Sequence, residues 1–171
     1  MADVRKQPWY EVDINQIDNL RYDSISSLPQ FIADNKAQSL VFAREVFDSH
    51  EEKNYDRAIM CMAIQNEQGV PENILNQCLK KDDSSHLEAI LYLRRCPNPS
   101  LDDALIAYIR RATKESNINK SIHLIEIVIE ILAKAKPTQK IYNLFEEQAQ
   151  IFQESKRIQR LIHDALRKYN I

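Results

Sequence analysis

The chain has almost no glycine. Gly69 is the single one in 171 residues, where average usage of about 7% would give about a dozen. Tight hairpins, bulges and phosphate-cradling loops all draw on glycine. Its scarcity argues against a β-rich fold, and Gly-rich nucleotide motifs cannot be written with one glycine. Cysteine is sparse and odd in number. Cys61, Cys78 and Cys96 do not make a disulfide framework, and no Cys-x-x-Cys occurs. Each sits in an apolar pattern and reads as a small buried hydrophobe, where a thiol is inert. No apolar run approaches the ~20 residues of a membrane span, and Met1 to Gln16 has no apolar stretch of signal-peptide type. The expectation is a soluble, cytoplasmic chain. The net charge is −2, which gives no global pull towards nucleic acid or anionic lipid.

What is present is helical. Apolar residues make up 44% and charged residues 28%, the balance of an ordinary globular protein. The length suits one all-helical domain over 1–171. Residues 1–12 read as an irregular arm pinned by Trp9, the one tryptophan. Residues 13–50 read as N-terminal helices: a short one near 13–22, a turn from Pro29 to Asn35 capped by Ser26 or Ser27, and one from Lys36 to His50. The last carries a stripe of Leu40, Val41, Ala43, Val46 and Phe47. Three helix pairs follow over 54–152. The first starts at Asn54, stops at Gly69 as a left-handed cap, and resumes at Pro71 to end near Lys81. The next helix begins at Ser84 or Ser85 and stops before Pro97. Ser100 and Asp103 have the spacing of a capping box for its successor. Another helix runs from about Asn119 to Ala135. Thr138 opens the last segment, whose helical period continues through 153–171, as one helix or as two with a break near Ser155.

Residues 122–132, IHLIEIVIEIL, are β-branched and partly alternating, which invites a strand. The polar positions decide for helix. His123, Glu126, Glu130 and Lys134 form a narrow stripe at helical spacing, and all else around the turn is apolar. Such a helix is buried on most sides, so Ile125, Val128, Ile129 and Leu132 are expected in a central core.

Pro71, Pro99 and Pro137 punctuate helices into pairs at about 54–81, 85–114 and 119–152. The unit length is roughly 30–40 residues, in the range of helical hairpins. Over residues 54–152 the pattern resembles HEAT or armadillo-like repeats. That resemblance implies helix pairs stacked into a solenoid and a function in binding peptides, proteins or nucleic acid.

Three chemistries compete with blander alternatives. His123, Glu126 and Glu130 could ligate a metal, but bundle di-metal sites draw on a Glu-x-x-His, and the chain has none. A solvated stripe with a Glu130–Lys134 pair is the simpler reading, and no metal or cofactor is expected. The four histidines and three cysteines lie in no catalytic signature, so no enzyme is expected. Arg94, Arg95, Arg110 and Arg111 end two helices and could contact phosphates. They also complement helix dipoles, and they lack the interleaved aromatics and glycines of RNA-binding surfaces. Residues 1–56 hold eleven acidic and six basic side chains, and the remainder 14 and 17. The chain is thus polarised, acidic in front and mildly basic behind. The expectation is a protein–protein binding module, most concretely an inhibitor or immunity protein that neutralises a toxin or enzyme. Asp48, Glu51, Glu52 and Asp56 would meet a basic partner domain. The alternative is a nucleic-acid-binding helical-repeat protein using the four arginines.

Overall fold

The computed structural model describes residues 28–114 and 118–169. The expected arm over 1–12, the helix near 13–22 and the caps at Ser26 and Ser27 lie outside these residues. Among the described residues there are nine α-helices and no strand. They are α1 (Leu28–Asp34), α2 (Lys36–Asp48), α3 (Tyr55–Ile64), α4 (Glu72–Leu79), α5 (Ser84–Arg95), α6 (Asp102–Ala112), α7 (Ile118–Lys134), α8 (Gln139–Ile151) and α9 (Lys156–Leu166). Short 3₁₀ turns precede α3 and α6 and follow α9. The chain divides into two compact units, Met1–Cys96 and Pro97–Ile171.

In the first unit α3 is the hub, packed by α1, α2 and α5, with α4 on α5. Ala58, Cys61 and Ala89 are fully buried, and Cys61 meets Ser39 of α2. Ser39, Phe42, Ala43 and Val46 form the buried face of α2, at i, i+3, i+4 and i+7 spacing. Ala43, Val46 and Phe47 of the expected stripe are buried, and the stripe departs from expectation at Val41. Val41 is 39% exposed, and Phe42 takes its place inside.

Two helices of this unit end on non-glycine residues in the left-handed region. His50 has φ 54° and Asn66 φ 50°. After α3, the Asn66 N–H donates to Ala63 O at 3.1 Å and the Glu67 N–H to Met62 O at 2.9 Å. These are the paired bonds of a Schellman cap. Gly69 is thus not the stop. Asparagine tolerates the left-handed conformation, and the helix closes at Ile64. Gly69, at φ 116°, turns the connecting loop instead. Asp83 caps α5, its side chain accepting from the Ser85 N–H.

In the second unit α7 packs on α6 and α9, and α9 packs on α8. Residues 122–132 are helical throughout. Ile125, Val128 and Ile129 are 0% exposed and Leu132 is 1%, so the apolar segment forms this unit's core. The N-cap ahead of α6 is not the expected Ser100. Asn98 caps instead, accepting from the Ser100 N–H at 3.1 Å. A 3₁₀ turn over Pro99–Leu101 then moves the α-helical start to Asp102, and Asp103 is left for another role. Thr138 caps α8, accepting from the Ile141 N–H. The last segment is two helices: Ser155 caps α9, accepting from the Ile158 N–H. The C-terminal turn then ties back. The Thr138 N–H donates to Tyr169 Oη at 3.3 Å, Lys168 Nζ donates to Ala133 O, and the Tyr142 and Tyr169 rings meet at 5.5 Å.

Candidate functional site

The acidic residues of the first unit gather where two connections meet. Asp48 ends α2 and is exposed. The chain then turns through His50 into a 3₁₀ turn, Glu52–Asn54. The Glu51 carboxylate accepts from the buried Asn54 Nδ2 at 2.8 Å and from Ser49 Oγ at 3.3 Å. Glu52 reaches the connection between α4 and α5. It accepts from Lys81 Nζ at 2.9 Å, and this bond, with a second from Gln77, holds its carboxyl below the usual range. Lys81 is correspondingly raised by Glu52 and lies 6.0 Å over the Tyr55 ring. Asp56 accepts from the Arg57 N–H at 2.8 Å and from Ser84 Oγ at 2.8 Å.

The structure therefore brings Glu51, Glu52 and Asp56 to one edge of this unit, each oriented by an intramolecular donor. Sequence reading missed three participants. Lys81 partially neutralises the surface. Asp83 adds a carboxylate held low by its hydrogen bond from Ser85. Glu88, on α5, is pushed up to about 7, first by burial and then by the charge of Asp56. Lys81 and Glu88 have no local signal, because the residues they meet, Glu52 and Asp56, lie some 30 positions away in the chain; Asp83 joins them as the cap of α5.

The four arginines divide between the units. Arg94 and Arg95 end α5 in the first. Arg95 Nη1 donates to Ala63 O at 2.7 Å, tying the C-terminal ends of α3 and α5. Arg110 and Arg111 end α6 in the second. Glu147 on α8 grips Arg110 by two bonds, from Nε at 3.0 Å and Nη2 at 2.8 Å, and this raises the guanidinium pKa further. The Arg111 guanidinium sits 5.7 Å from the Tyr108 ring centre.

The stripe on α7 is not simply solvated. The Glu126 side chain is 12% exposed and accepts from Arg157 Nε on α9 at 3.2 Å. His123 is 72% exposed and 4.0 Å from the same carboxylate. Among the described residues no group of three or more His, Cys, Asp or Glu side chains is placed to hold a metal ion. All three cysteines are buried. Burial pushes the Cys61 thiol up to about 12 and raises that of Cys78. No helix of the described residues is long and apolar enough to cross a membrane. The chain matches no protein-family model, no curated protein and no solved structure.

Proposed function

We propose that the chain is a non-enzymatic protein-binding module built from HEAT-like helix pairs, and most concretely an inhibitor or immunity protein that blocks a basic toxin or enzyme domain. The observation that carries this reading is the oriented carboxylate edge of Glu51, Glu52 and Asp56. A carboxylate already held by an internal donor loses less side-chain freedom when a partner arrives. Its charge steers a basic surface and sets on-rate more than lifetime. The raised thiol pKa values of Cys61 and Cys78 support a module without a nucleophile.

Helix directions support the repeat reading. In the first unit Asp56 meets Ser84 and Ala63 meets Arg95, so α3 and α5 run parallel, at separations of 28 and 32 residues. In the second unit Asp103 meets Lys140 and Arg110 meets Glu147, both at 37 residues, so α6 and α8 run parallel as well. Alternate helices in register at about 30–40 residues are what stacked hairpins produce.

The test is a titration with generic RNA and duplex DNA at low and moderate salt. No micromolar binding is expected. Micromolar or tighter binding that falls steeply with salt, and is lost when Arg94, Arg95, Arg110 and Arg111 are all replaced by alanine, would overturn the reading in favour of nucleic acid.

A further inference from the structure

The two bridges between α6 and α8 span an open seam. Lys140 Nζ donates to Asp103 at 2.8 and 3.0 Å, and Arg110 pairs with Glu147 two helical turns further on. Three recesses run along this seam. The first, about 480 Å³, lies between Pro99 and Ile141 and shares Asp103, Ile106 and Lys140 with the second, of about 730 Å³. The second shares Arg110 and Lys114 with the third, of about 410 Å³. Shared walls make them one groove. An α6 of eleven residues is ~16 Å long, a span that about five extended residues would cover.

Charge varies along the groove. Asp102 and Asp103 mark the N-terminal end. Arg110, Arg111 and Lys114 mark the other. Ile151 lies at that basic end and is 48% exposed, one of two large apolar side chains so exposed among the described residues. Gln148 lines the same recess at 1% exposure, and its Oε1 has no hydrogen-bond partner among the described residues. A buried acceptor is costly to leave unmatched. It takes an N–H or O–H donor, which a peptide segment carries and a phosphodiester linkage lacks. Carboxylates in both bridges also repel a uniformly anionic backbone, whereas a protein segment can match mixed charge.

We propose that the α6–α8 seam is a docking groove for a short acidic–apolar segment of a protein partner, seating an apolar side chain on Ile151 and carboxylates against Arg111 and Lys114. The groove lies wholly within the second unit, so it stands or falls independently of the carboxylate edge in the first.

The test is selection from a random library of peptides about 12 residues long on the immobilised full chain, followed by fluorescence anisotropy with the selected peptides. The expected sequences place Asp or Glu beside a large apolar residue. Affinity should fall about tenfold or more, roughly 1.4 kcal/mol, in Ile151→Asp and separately in Lys114→Glu. Both positions are exposed, and circular dichroism checks that each variant stays folded. Arg160→Glu, exposed on α9 and lining none of the three recesses, should leave peptide affinity unchanged. Failure to enrich any peptide, enrichment without acidic bias, or binding that survives both groove variants overturns the proposal. So does preferential binding of RNA or DNA, or self-association, that the same two variants abolish.

Discussion

In the first unit, α3 and α5 pack side by side, and the stitches at each end have one neutral partner: Ser84 to Asp56, and Arg95 to a backbone carbonyl. In the second, α6 and α8 are also parallel, yet they are joined by ion pairs between long side chains that are 45–69% exposed. Long charged residues hold two helices at arm's length and leave a groove. α3 and α5 thus pack directly on each other, whereas α6 and α8 are bridged across a seam.

The largest expected effect concerns the two cores. Ile129 and Ile59 are both 0% exposed, and truncating such a residue to alanine costs about 2–5 kcal/mol. Each substitution should lower the melting temperature by roughly 2–4 °C per kcal/mol. Hydrogen exchange should accelerate mainly in α6–α9 for Ile129→Ala and mainly in α1–α5 for Ile59→Ala. Equal acceleration throughout for both would erase the distinction between units.

Glu88 gives the first unit a pH dependence. Its folded value of about 7 lies above the ordinary 4.5, so the folded state holds the proton more tightly. Stability from this group is present below about pH 4.5 and is lost as pH rises through 7. Glu88→Gln should therefore match wild type near pH 5 and melt several degrees higher near pH 8. A variant no more stable near pH 8 would mean that Glu88 is well solvated.

A smaller effect is expected at the left-handed cap. Asn66→Ala should cost about 1 kcal/mol, because alanine resists this conformation, whereas Asn66→Gly should be neutral or stabilising. Equal losses for both would mean that the asparagine amide matters beyond its backbone. Least costly should be the bridges of the seam. Arg110→Ala, measured by chemical denaturation, should cost about 0–1 kcal/mol, as exposed pairs do. A loss several times larger would show that the pair closes the seam rather than spanning it.

Much of this fold was readable from local chemistry. Thr138 acts as the cap where the spacing placed a helix start, Ser155 caps the second of two helices where one or two were left open, and the stripe through Glu126 and Glu130 identified α7 against its β-branched composition. Errors arose where two local solutions competed. Asn66 took the role assigned to Gly69, and Asn98 displaced Ser100, because several residue types can close or open a helix. In α2 the expected Ala43, Val46 and Phe47 are buried, but Phe42 takes the place given to Val41, because Leu40, Val41 and Phe42 are all apolar and composition cannot rank them. The candidate surfaces were less legible. The carboxylates themselves were visible, but Lys81, Ser84 and Glu88 join them only through tertiary packing. The seam is assembled from residues 37 apart, and no spacing rule announces it.

The most direct measurement is quantitative co-purification from native cells, after nuclease treatment, with three baits compared by mass spectrometry. The baits are wild type, the quadruple arginine-to-alanine variant, and Asp48→Lys combined with Glu52→Lys. The last pair is preferable to reversing Glu51, whose carboxylate supports the buried Asn54. The account predicts a stoichiometric basic protein on wild type and on the arginine variant, lost from the carboxylate variant. A carboxylate variant that retains every partner, or an association that nuclease removes and the arginine variant lacks, would contradict it.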